Sequence, residues 1–147
     1  MKHVFLAVAA MTLLAACAPR PSTSVQQAAQ AFGLIGSWAT DCSKPTMPGD
    51  DRMIFAFQPD GSVSLAFDNG IGGGIADNYT FTAGQVIAPD QIALDGVYGG
   101  VGQHVVLQLA SDGRLRFFEN RDANGRVLVQ NGALASGGPA QWSTKCH

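Results

Sequence analysis

The sequence predicts an all-β fold: a single antiparallel up-and-down β-barrel of about eight short strands, preceded by a signal helix and a flexible tether. Three observations carry that expectation. Turn signals recur at short intervals through residues 59–139, apolar residues between them alternate with period two, and two cysteines sit at opposite ends of the strand-rich region. Alternation with one apolar face per strand suits an antiparallel sheet wetted on its other side. Closing such a sheet on itself removes exposed edges. A β-sandwich satisfies the same pattern and is the alternative.

The chain opens with Met1-Lys2-His3, and Val4 to Ala16 is apolar apart from Thr12. A charged start, a short apolar run and small residues before a cut describe a secretory signal peptide over residues 1–16. The run is about 13 residues, short of the ~20 a helix needs to cross a bilayer. Its end, Leu14-Ala15-Ala16-Cys17, resembles the lipobox of bacterial lipoproteins. That resemblance implies cleavage before Cys17, diacylglycerol on its thiol and usually a third acyl chain on the new amine. Each buried methylene contributes about 0.8 kcal/mol, so two or three chains form a membrane anchor without any spanning helix. Ala18 occupies the position where, in the sorting rule of enteric bacteria, Asp retains a lipoprotein in the inner membrane. The expected location is therefore the cell envelope, at the outer membrane facing the periplasm. Residues 17–33 read as the lipidated Cys and its tether, since Pro19 to Gln27 carries two prolines and mostly polar residues.

Residues 34–147 form the expected barrel domain. Ala28 to Leu34 can make a short helical turn into Gly36-Ser37-Trp38-Ala39, the first strand. Turns follow at Pro59-Asp60-Gly61, Asp68-Asn69-Gly70, Ala83-Gly84, Pro89-Asp90, Gly99-Gly100, Ser111-Asp112-Gly113, Asn124-Gly125 and Gly137-Gly138-Pro139. Between them Met53, Phe55 and Phe57 share a face, as do Val63, Leu65 and Phe67, then Tyr79 and Phe81. Ile92 and Leu94, Val105 to Leu109, Leu115 and Phe117, and Val127 and Val129 continue the pattern. Gly36-Ser37-Trp38 resembles the Gly-x-Trp signature of lipocalins and related calycin barrels, which implies a Trp38 that plugs one end of the barrel. The Thr-Asp-Tyr-like stretch and the late arginine of those families have no match here. Trp38-Ala39-Thr40-Asp41-Cys42 is also similar to the opening of small bacterial envelope proteins without an assigned activity.

Taking 16 residues from 147 leaves 131, and roughly 115 beyond the tether, enough for one core. With Lys2 removed, 8 basic face 11 acidic side chains, a net charge of −3 with His neutral. No basic patch interrupts this, so the phosphate-binding attraction that dominates nucleic-acid affinity is missing. Once Cys17 is acylated, Cys42 and Cys146 remain. An even pair in an oxidising compartment reads as a disulfide, here tying the first element of the domain to the last. A metal site is not expected, because His147 lacks a second His or Cys cluster. No cofactor is expected either.

Chemistry-bearing residues are few. His104 alternates away from Val105, Leu107 and Leu109 and reads as solvent-facing. No Gly-x-Ser-x-Gly elbow supports a nucleophile. Asp60, Asp68, Asp90, Asp112 and Asp122 fall in turns, where they bind local amides. Glu119, the one glutamate, shares a face with Leu115 and Phe117 by simple alternation, and is expected at the strand end beside Arg121 or Arg126. Gly70-Ile71-Gly72-Gly73-Gly74-Ile75 lacks the Gly-Lys-Ser/Thr ending of a phosphate loop and precedes a strand. It is a hairpin loop whose Ile71 and Ile75 are candidate partner contacts. Trp142 is expected to pack beside the disulfide.

These readings point to a non-enzymatic, lipid-anchored binding module of the cell envelope that acts through loops on a rigid barrel, of the kind seen in inhibitors. The alternative is a lipocalin-like carrier of a small apolar ligand. Against the carrier, inward-pointing Phe55, Phe57, Phe67, Phe81 and Phe117 would fill an eight-stranded interior, and a ligand needs roughly 300 Å³ or more.

Overall fold

The computed structural model describes residues 23–47, 52–70 and 75–147, side chains of residues 75–77 excepted. The order is α1 (Val25–Phe32), β1 (Gly36–Ala39), β2 (Arg52–Phe57), β3 (Val63–Asp68), β4 (Ile75–Ala88), β5 (Gln91–Tyr98), β6 (Val101–Leu109), β7 (Leu115–Asp122), β8 (Val127–Gln130), β9 (Ala133–Leu134) and β10 (Thr144–Cys146).

Helix α1 forms because its start is capped and one face is apolar. The Ser24 hydroxyl accepts from the Gln27 amide while the Gln27 side chain accepts from the Ser24 amide, a reciprocal capping box. Val25, Ala28, Ala29 and Phe32, at helical spacing, are buried. Gly33 ends the helix at φ 74°, a conformation that favours glycine. The helix starts inside the segment read as tether, so residues from Val25 onward belong to the folded core.

All ten strands form one antiparallel sheet in the order β10-β1-β2-β3-β4-β5-β6-β7-β8-β9. Strands neighbour their successors throughout, and only β10 returns across the chain, to β1. The sheet curls into a half-barrel. The all-β, up-and-down expectation holds, whereas eight strands and full closure do not. Two short strands raise the number. Asn131 and Gly132, at φ 53° and 72°, turn β8 into β9, and Thr144–Cys146 adds β10. Closure fails because β8 and β9 span only four and two residues. β9 then folds back on Pro139 instead of meeting β10. The link between β7 and the segment entering β10 is one isolated bridge, in which Leu115 and Ser143 exchange two 2.8 Å hydrogen bonds.

The concave face holds the core: Phe55, Val63, Leu65, Phe81, Ile92, Leu94, Val105, Leu107 and Leu115 are almost fully enclosed. Helix α1 packs against β3, β4 and β5 at one end, which it covers and which is called the plugged end. Gly84 makes that approach possible, since a Cβ there would lie 3.0 Å from Val25 Cγ2 and 2.9 Å from Leu94 Cδ2. Gln26 Nε2 donates to the carbonyls of Gln58 and Ser62, fixing the first turn of α1 to the β2–β3 turn. The β1–β2, β3–β4, β5–β6 and β7–β8 connections all leave the opposite end, the rim.

Two side chains depart from the burial read above. Phe57, the last residue of β2, keeps its alternation but is 41% exposed, because the strand ends before neighbours can cover it. In β7 the register shifts between Val106 and Leu107: Leu107 faces Phe117, but Val106 faces Glu119. A bulge inserts one extra residue and reverses the faces beyond it. Glu119 therefore leaves the face of Leu115 and Phe117, and Asn120 and Asp122 become buried in its stead.

Candidate functional site

The outer wall near the rim carries the main polar cluster. Gly99 and Gly100, both at positive φ, make a two-residue turn that sets Asp95 opposite His104. The β6–β7 register then sets His104 opposite Arg121. Glu119 lies two residues before Arg121 on the same face, placed there by the bulge. His104 Nδ1 lies 2.7 Å from Asp95 Oδ1. A carboxylate only accepts, so Nδ1–H donates and Asp95 orients the ring. Both side chains are about half exposed.

Two grooves meet at this cluster. One, about 390 Å³, is lined by His104, Glu119, Arg121, Val127, Val129 and Gln130. The other, about 290 Å³, runs along Asp95, Gly96, Gly102, His104, Arg121 and Ala123. His104 and Arg121 belong to both. Among the described residues, the side chains of Glu119 and Arg121 form no ion pair. Neither groove has a serine, threonine or cysteine in its lining. The arrangement can hold a charged ligand, and its lining offers no hydroxyl or thiol nucleophile.

Inside the half-barrel, Gln103, Asn120 and Asp122 are buried. Asp122 anchors the β7–β8 turn by accepting from the amides of Asn124 and Arg126 and from Arg126 Nε. Asn120 Nδ2 donates to the Tyr79 hydroxyl at 3.1 Å. Among the described residues, Gln103 Oε1 and Asn120 Oδ1 have no hydrogen-bond partner. Around them Tyr79 stacks on Tyr98 at 4.6 Å and on Phe81 at 5.6 Å, while Phe67 and Phe117 face each other at 6.5 Å from opposite walls.

The residues singled out in the sequence fall as follows. Cys17 and Ile71 lie outside the described residues. Ile75 opens β4 opposite Asp68, at the rim. Trp38 is buried and its indole N–H donates to the Leu34 carbonyl at 2.8 Å, beside Gly36 at the start of β1. Lys145 on β10 lies 5.4 Å over the Trp38 ring and donates to the Gly33 carbonyl at 2.7 Å, which caps α1. Cys42 and Cys146 stand at disulfide distance, 2.06 Å between sulfurs across a separation of 104 residues. On the segment entering β10, Arg116 lies 4.3 Å and Arg114 5.6 Å over the Trp142 ring.

Asp60, Asp68, Asp112 and Asp122 bind local amides as expected, whereas the Asp90 carboxylate accepts from the Gln108 side chain at 3.2 Å. The Ser62 hydroxyl and amide hold the Asp60 carboxyl below its ordinary value, as Ser43 does for Asp41. The Arg114 amide and guanidinium do the same for Asp112. Among the described residues, no three His, Cys, Asp or Glu side chains gather into a possible metal site. No described helix is long and apolar enough to cross a membrane. Sequence reasoning placed His104 on the solvent side but missed its partners. Counting outwards equally from Gly99-Gly100 reaches Asp95 and His104 together, so half the cluster was within its reach. Comparisons with protein-family models, with curated proteins and with solved structures find no match to this chain.

Proposed function

We propose that this chain is a lipid-anchored binding module of the cell envelope, held through Cys17 and engaging its partner at the rim. The observation that carries the reading is the polarity of the fold. The first turn of α1 is fixed to the β2–β3 turn at the plugged end, while four connections gather at the other. Seven residues, Ala18 to Ser24, separate the proposed anchor from the helix, a reach of at most about 25 Å. An anchor so short holds the plugged end toward the bilayer and leaves the rim facing away. Binding by loops and outer wall, in preference to carriage inside, is supported by a concave face already filled by its own side chains. Cys17→Ser is expected to move the protein from the membrane to the soluble fraction; unchanged membrane retention overturns the anchor. A photo-crosslinking residue at Asn124, on the rim, is expected to capture a defined envelope partner, and one at Asp112, on the plugged end, is not. Equal capture from both ends overturns the rim.

A further inference from the structure

We infer that the outer-wall cluster on β5, β6 and β7 binds a small zwitterion with an apolar body: a free apolar amino acid or a short apolar peptide. The inference deepens the binding-module reading by naming a ligand class for the wall beside the rim. It rests on the juxtaposition of one uncommitted cation, one uncommitted anion and an apolar wall in one groove. Arg121 and Glu119 alternate on one strand face, their backbones about 6.6 Å apart at strand rise. Neither is engaged by an opposite charge among the described residues. The ion pairs on the neighbouring strands and turns join other residues: Asp95 with His104, Asp112 with Arg114 and Asp122 with Arg126.

A free guanidinium offers a planar fork of donors that matches a carboxylate in two bonds, and a free carboxylate accepts from an ammonium. A ligand carrying both groups answers both residues at once. Val127, opposite Arg121 on β8, lines the same groove and gives its apolar part a surface. The volume, about 390 Å³, is of the order that small-molecule sites have. Asp95 fixes the His104 ring at the groove wall, so that wall is set before a ligand arrives. The charges also select. Glu119 and Asp95 flank the cation, which disfavours a dianion such as phosphate and leaves a single carboxylate as the better anion.

The test is a titration of the full-length chain, followed by NMR signals of the Val127 methyls and the His104 ring. The probes are leucine, leucyl-leucine, hexanoate and hexylamine. Leucine or leucyl-leucine is expected to shift both sets of signals and to bind at least tenfold more tightly than hexanoate or hexylamine. The better of the two zwitterions distinguishes a free amino acid from a peptide. Arg121→Gln and Glu119→Gln should each weaken the zwitterion about tenfold, while Arg114→Gln, at the plugged end, should leave it unchanged. Both variants change exposed or half-exposed residues and keep the fold. Zwitterions that bind no better than the singly charged probes, or binding indifferent to Arg121→Gln, overturn the inference. Because no membrane or partner enters the titration, its failure is separable from that of the anchor and rim experiments.

Discussion

Replacing both Cys42 and Cys146 by Ser tests how the half-barrel is kept shut. The bridge spans 104 residues, and in the chain-entropy account closing a loop of that length stabilises by about 4.7 kcal/mol. β10 is also tied by Lys145 to the Gly33 carbonyl and the Trp38 ring. It pairs with β1 at Ser37–Cys146, Trp38–Lys145 and Ala39–Thr144, and the segment before it touches β7 at Leu115–Ser143. For a domain of this size 1 kcal/mol moves the midpoint by about 4 °C, so the double variant should melt about 19 °C lower. Thermal unfolding of the oxidised wild type and the variant, followed by circular dichroism, measures it, and reduced wild type should match the variant. A drop under about 5 °C would refute the reasoning, because β10 would then be holding itself.

Other substitutions probe the packing. Trp38→Phe removes a buried indole donor and leaves the Leu34 carbonyl unpaired, which should cost about 1–3 kcal/mol in denaturant unfolding; no change means that bond carries nothing. Gly96→Ala drives a Cβ into the Thr80 carbonyl oxygen and should cost about 2 kcal/mol or more, whereas Gly102→Ala meets only Ala123 Cβ at 3.2 Å and should cost less. The reverse order in melting temperature would contradict the β4–β5 register. Gln103→Met removes a buried acceptor without a partner and should raise stability by about 1 kcal/mol; a loss of stability would show that the oxygen is satisfied in solution. Asp41, Asp60 and Asp112 have folded-state values lowered from 3.8, so their stabilisation is present above that pH and fades as pH falls through the lowered values. Unfolding midpoints should decline between about pH 4 and pH 2, and a midpoint unchanged at pH 2 would contradict the turn bonds.

Local signals in the chain spoke clearly at most tight turns, but Ala83-Gly84, read as a turn, lies inside β4 just past a bulge. Gly99-Gly100 fixes β5 against β6, and Asp112-Gly113 separates β6 from β7, so both ladders start where the turns say. The bulge before Glu119 was not legible, because an extra residue in one strand is decided by how neighbouring strands twist and pack. That single insertion moved Glu119 to the outer wall and Asn120 to the interior, so the candidate site depends on it. Closure was illegible for a similar reason. The Asn131-Gly132 turn between β8 and β9 was passed over in the sequence, and whether the short hairpin it makes reaches β10 depends on distances across the molecule. Phe57 followed its alternation and still ended exposed, since burial at a strand end depends on what lies beyond it.

Lys145 joins three distant parts of the molecule in one side chain: its own strand, the ring of Trp38 and the carbonyl that ends α1. Its neighbour Cys146 meets Cys42, so two adjacent residues fasten structure made more than a hundred residues earlier. A chain produced from its amino end therefore cannot lock its first strand until this late segment arrives. Until then β1 has only β2 as a partner strand, and the clasp shuts last.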